Sequence, residues 1–101
     1  MGKNYANKGY NVTILDDTSL PDGSYDALIN GLKAEFKSLS SHNNIHRHAS
    51  EAIKKKKAQI IAFEFTNNTP EIRRALEELA QKGYKFIYYF TENPNNIIEV
   101  L

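Results

Sequence analysis

Asp26, Glu35 and Lys37 are the residues of this 101-residue chain whose types and spacing could do chemistry, and all three flank the dipeptide Asn30-Gly31. Asn-Gly between two apolar runs predicts a two-residue β-hairpin, because a type I′ turn needs positive φ at both central residues and these two tolerate it best. With the turn centred there, Ile29 faces Leu32, Leu28 faces Lys33, Ala27 faces Ala34, and Asp26 lies across from Glu35. Directly opposed residues share one sheet face, with Cβ atoms about 4.5–5.5 Å apart. Side chains alternate between faces, so Lys37 joins the two carboxylates while Ala27, Ile29, Ala34 and Phe36 form the apolar face.

Two carboxylates at that distance repel unless a cation lies between them or one holds a proton. Asp is disfavoured within strands, so Asp26 needs a reason to be there. An Asp followed by E-x-K on one face is what a divalent-metal phosphodiesterase site requires. Hard oxygen ligands hold an ion such as Mg²⁺, and a lysine orients or deprotonates the attacking water and offsets phosphate charge. The competing reading is an ordinary amphipathic hairpin whose solvated outer face happens to carry these residues.

The elements that must position this hairpin follow from pattern. Residues 3–9 read as the last turns of a helix stopped by Gly9, and YNVTIL (10–15) as a first strand; DDTSLPDG (16–23) is dense turn chemistry. After the hairpin at about 24–38, Asn43 or Asn44 is the expected N-cap of a helix reaching about Lys57 and burying Ile45, Ala49, Ala52 and Ile53. QIIAFEF (59–65) reads as a buried central strand. Thr69-Pro70 opens a helix with stripe Ile72, Ala75, Leu76, Leu79 and Ala80, stopped by Gly83 and braced by Arg73/Glu77, Arg74/Glu78 and Glu78/Lys82. YKFIYYF (84–90) and IIEVL (97–101) complete the order α-β-β-β-α-β-α-β(-β), an α/β (α+β) fold with one mixed sheet and a right-handed parallel crossover between 59–65 and 84–90.

Composition bounds the rest. The chain is 41% hydrophobic and 25% charged with net charge +1, ordinary for one soluble domain spanning 1–101, so attraction to phosphate must be local. It has no Cys, which excludes a disulfide framework and thiolate chemistry. No apolar run approaches a membrane span, and the start MGKNYANKGY has no signal-peptide h-region. The local concentration of charge is HRHASEAIKKKK (46–57), readable as a solvated helix end complementing the macrodipole or as a phosphate-backbone footprint.

With those elements placed, the chain resembles the PD-(D/E)XK nuclease superfamily, in particular the nuclease domains at the C-termini of bacterial contact-dependent growth-inhibition (CdiA-type) toxins. KGYNVTIL, then YDALING before GLKAEFKS, then NNIHRHASEAIKKKKAQIIAFEF carry the resemblance, over about residues 5–66. It implies a restriction-endonuclease-like core and an endonuclease toxin that hydrolyses tRNA or DNA in the bacterial cytoplasm. Asp26 and Glu35 would be ligands of Mg, Mn or Zn, Lys37 the catalytic lysine, and an immunity protein the natural control. Such sites often add an acid from the first helix, and the stretch before Gly9 has no Asp or Glu. Two other readings stand beside it: a metal-independent ribonuclease of barnase, RelE or colicin type using His42, His46, Arg47, Lys37 and Thr66, and a degenerate nuclease fold that binds nucleic acid or protein.

Six further residues are candidates for contact with nucleic acid. Ser38 follows the lysine and could bond a phosphate, or simply form a turn. His46, Arg47 and Ser50 open the helix that leaves the E-x-K strand, with Lys54 further along it, and a helix N-terminus favours anions. Thr66 ends the buried strand, where open α/β sheets place function. His42 and His46 have metal-like spacing but read more simply as surface histidines. Tyr84, Tyr88 and Tyr89 could stack on bases, although strand aromatics more commonly pack.

Overall fold

Asn30 and Gly31 both take positive φ, 51° and 83°, as a type I′ turn demands. They join β2 (Ala27–Ile29) to β3 (Leu32–Leu39) in the expected register, Ala27 opposite Ala34 and Ile29 opposite Leu32. The computed structural model of the protein describes residues 2–14 and 26–101, so the turn-rich stretch 16–23 lies outside the described residues. Around the hairpin, α1 (Gly2–Asn7) and β1 (Val12–Ile14) come first; α2 (Ile45–Lys54), β4 (Ile60–Phe65), α3 (Pro70–Gln81), β5 (Phe86–Phe90) and β6 (Ile98–Val100) follow. The fold is α+β, with the predicted element order.

The six strands form one mixed sheet in chain order, β1-β2-β3-β4-β5-β6. β3, β4 and β5 are parallel and the outer pairings antiparallel, so α2 and α3 are the crossovers that parallel neighbours require. Thr69 caps α3, its side chain accepting from Ile72 N at 3.2 Å with Pro70 in the first turn, and Gly83 at φ 88° follows its end. α2 begins after Asn44, as expected, but without the side-chain cap, and it ends earlier. Asn44 stands at its N-cap in the left-handed region, φ 68°, with no side-chain cap bond, and the helix stops at Lys54, not Lys57. The lysine run therefore becomes a turn, in which Lys57 at φ 61° lets Ala58 N donate to Ala52 O at 2.9 Å. A left-handed position favours glycine, so Lys57→Gly should raise stability by about 0.5–1 kcal/mol, read from the urea midpoint.

Both sheet faces are packed. On one, Ile61, Phe63, Phe65 and Phe86 meet Ile45, Ala49 and Ala52 of α2 and Ile72, Ala75, Leu76 and Leu79 of α3. On the other, Ile29, Ala34, Ile60, Ala62, Ile87 and Tyr89 meet Tyr5 of α1. Ala80, placed by pattern in the apolar stripe of α3, is exposed. The expected i,i+4 ion pairs of α3 are not formed among the described residues; its charges find other partners, Arg73 donating to Asn68 Oδ1 and Glu78 reaching His46 Nε2 at 4.0 Å.

Candidate functional site

Glu35 is directly paired with Ile61 of β4, which fixes its face as the one that α2 and α3 cover. Its side chain is only 2% exposed, and it is the buried charged residue among the described residues. The solvated outer face expected of an ordinary amphipathic hairpin is therefore not what Glu35 occupies. Alternation does put the apolar set of the hairpin on the α1 face, as expected, but the carboxylate face is also core.

Asp26 lies just before β2. Its N donates to Ala34 O at 3.0 Å, and its Oδ2 accepts from Phe36 N at 3.1 Å, so the side chain extends the hairpin ladder where the strand stops. This gives the aspartate the structural reason that a strand position lacks. Against it, the Glu35 carboxyl is pushed up to about 8, first by burial, then by the hydrogen bond and charge of Asp26; Lys37 and Lys56 pull it down. In the metal-free protein Glu35 thus holds a proton at neutral pH. Its Oε2 is buried without a hydrogen-bond partner, an arrangement that costs about 1–3 kcal/mol. The donor set, two carboxylates with one oxygen uncommitted, fits a hard divalent cation. Together Asp26, Glu35 and Lys37 form one electrostatic unit.

α2 presents its other residues around this unit unequally. Successive helix residues are about 100° apart, so His46 and His48 leave α2 on opposite flanks. His46 turns toward α3, between Glu78 and the Lys82 ammonium, whose Nζ is 3.2 Å from its Nδ1. It shares a cleft there with His42, Pro70, Glu71, Arg74 and Ala75. His42 and His46 do converge, although His42 precedes the helix. Arg47 and Lys54 are exposed and Ser50 is half-buried. His48, to which no motif drew attention, is held below its ordinary pKa by burial first and by the Lys37 and Arg47 charges next. Its spacing from Ala52 was the available signal, since i and i+4 share a helix face.

Ser38 alternates to the α1 face and is not brought to the carboxylates. Its Oγ donates to Glu64 Oε1 at 2.7 Å, Tyr89 donates to the same carboxylate, and the two hydroxyls, Tyr89 first, hold Glu64 below the usual carboxylate range. Thr66 is exposed beyond β4, its N donating to Leu39 O at 3.0 Å. Of the three tyrosines predicted on the last long strand, Tyr89 is buried and Tyr88 packs edge-on to Phe65, while Tyr84 precedes β5 and is half-buried against the α2–α3 core. None of the described helices is long and apolar enough to cross a membrane.

No family model and no curated protein matches the chain. In fold it is similar to a chain of the CdiA-CT/CdiI toxin and immunity complex from Burkholderia pseudomallei, with TM-score 0.69 and 21% sequence identity over 97% of this chain and 76% of that one.

Proposed function

We propose that the domain is a toxin-type endonuclease that hydrolyses phosphodiester bonds of tRNA or DNA with a divalent metal ion, Mg, Mn or Zn. The observation that carries the proposal is Glu35: a buried carboxyl group with an uncommitted oxygen, set against Asp26 and within the field of Lys37. Such a group costs stability in a core, and a strongly perturbed buried acid with a charged neighbour is a candidate for function. Asp26 and Glu35 would hold the cation, which when bound supplies charge neutralisation at the phosphate. Lys37 is the proton-handling and phosphate-orienting group beside them. The PD-(D/E)XK motif order supports this assignment, and the fold likeness is consistent with a toxin controlled by an immunity protein.

A second reading is favoured by two observations. The described residues hold no cluster of three metal-ligating side chains, and α1 offers no acid in its first turn. Two carboxylates alone bind a divalent ion weakly, which suits a nucleic-acid- or protein-binding module on a nuclease-like frame. One experiment separates the readings: purified protein is incubated with total tRNA and with plasmid in Mg²⁺, Mn²⁺ or Zn²⁺, with and without EDTA. Cleavage that EDTA abolishes, and that Lys37→Ala lowers by about 10²-fold or more, is the expected result. Cleavage surviving EDTA points to metal-independent chemistry, and no cleavage in any metal leaves the binding module.

A further inference from the structure

The face of Glu35 and Lys37 is overlooked by a second row of side chains. β3 and β4 are parallel neighbours, so α2 runs back against their direction. The start of α2 therefore lies toward the end of β3, and its exit turn lies beside the start of β3. That turn is pinned in place, Gln59 N donating to Lys33 O at 2.7 Å and Lys33 N donating to Gln59 Oε1 at 2.9 Å. His48 and Ala52 are four apart on α2 and Ala52 is fully buried, while Lys56 lies in the exit turn, its N donating to Glu51 O at 3.1 Å. The pairing along the two elements is accordingly reversed. Lys37 acts on His48 and Lys56 acts on Glu35.

Two details mark these residues. In the run Lys54 to Lys57, Lys56 is the half-buried member and the other three are exposed. His48 Nδ1 is, with Glu35 Oε2, one of the two buried side-chain atoms without a hydrogen-bond partner among the described residues. A bare acceptor costs less than a bare donor, so the favoured tautomer carries its proton on Nε2.

From this geometry we propose that His48 and Lys56 form the phosphodiester-contacting wall of the site, facing Lys37 and Glu35 of β3. Lys56 supplies charge and His48 supplies a neutral N–H donor to the nucleic-acid backbone. The contact rests on the site proposed above, but it concerns binding and not hydrolysis. It also relocates recognition from the exposed Arg47 and Lys54 to the inner flank of α2 and its exit turn.

The test uses the whole protein in EDTA, with short single-stranded RNA and DNA oligonucleotides as probes. The imidazole carbon-bound proton signals of His42, His46 and His48, assigned by single His→Gln variants, are followed by NMR as each probe is added. The His48 signals should shift while those of His42 and His46 stay. Lys56→Gln should weaken binding about tenfold and reduce the salt slope of log Kd by about 0.7–0.9, as loss of one phosphate contact requires, with an unchanged melting temperature. Shifts confined to His42 or His46, a salt slope unaltered in Lys56→Gln, or no binding of either probe would overturn the proposal. Binding at His48 without cleavage in any metal sinks the hydrolytic reading and keeps this contact. Cleavage with His48 silent does the reverse, and the response to RNA against DNA identifies the backbone preferred.

Discussion

Glu35→Gln should raise the melting temperature of the metal-free protein at pH 8 and flatten the dependence of its stability on pH. The sign follows from linkage. The folded-state pKa of Glu35 is raised to about 8 by burial and by Asp26, whereas an unfolded glutamate titrates near 4.3. Between those values the unfolded chain has released a proton that the folded chain keeps, so stability is full below about pH 4 and declines as pH rises to about 8. The loss is on the order of a few kcal/mol, because the group is almost wholly removed from water. Glutamine has the same shape, no charge to desolvate, and an amide that can donate to Asp26. A divalent ion reverses the preference by favouring the carboxylate. In wild type, metal at about 100 times its Kd should add about 2.7 kcal/mol, and the Glu35→Gln variant should gain almost none. Thermal melts from pH 4 to 9, with and without Mn²⁺, measure both effects. A wild-type curve that is level from pH 5 to 8 and coincides with that of the variant would dismiss the perturbed carboxyl.

Tyr5→Ala should cost about 3–5 kcal/mol, the range for removing a fully buried aromatic ring. The ring lies between Phe36, stacked at 6.3 Å, and Tyr89, edge-on at 5.4 Å, over the apolar face of β3, β4 and β5. α1 has only six residues, too few to persist without tertiary contacts, so this ring is what docks it. Tyr5→Phe should cost about 1 kcal/mol, since it removes only the bond from Tyr5 Oη to Phe63 O at 2.8 Å. Urea unfolding of the two variants separates packing from the hydrogen bond. Equal losses in both would mean that the hydroxyl, and not the ring, holds the helix.

The hairpin was legible because Asn-Gly specifies its own backbone and alternation then fixes the faces of Glu35 and Lys37. α3 was legible for a similar reason, with Thr69, Pro70 and Gly83 each acting through local geometry. What periodicity cannot give is the identity of the layer above a face. Glu35 therefore looked like half of a solvated pair, although α2 and α3 cover its side of the sheet. His46 attracted attention through its spacing from His42, while His48, two residues on, is the histidine that feels the Lys37 charge. Ser38 shows the same limit in reverse. It follows Lys37 in sequence, so alternation sends it to the opposite face, where it belongs to Glu64 and Tyr89. Tyr5 gave no signal of its own, because a lone aromatic in a six-residue helix has no period to betray it.

The strand order has a consequence for how the molecule comes into being. Each strand lies beside the one made just before it, from β1 at one edge to β6 at the other. A chain emerging from the ribosome, or re-emerging after threading through a narrow passage, can thus extend its sheet vectorially, every new strand meeting a template already in place. The tie between Tyr10 and Glu99, which spans 89 residues, has to wait for the last strand. It works as a terminal latch, made once the whole sheet exists and the first one that pulling on either end would test.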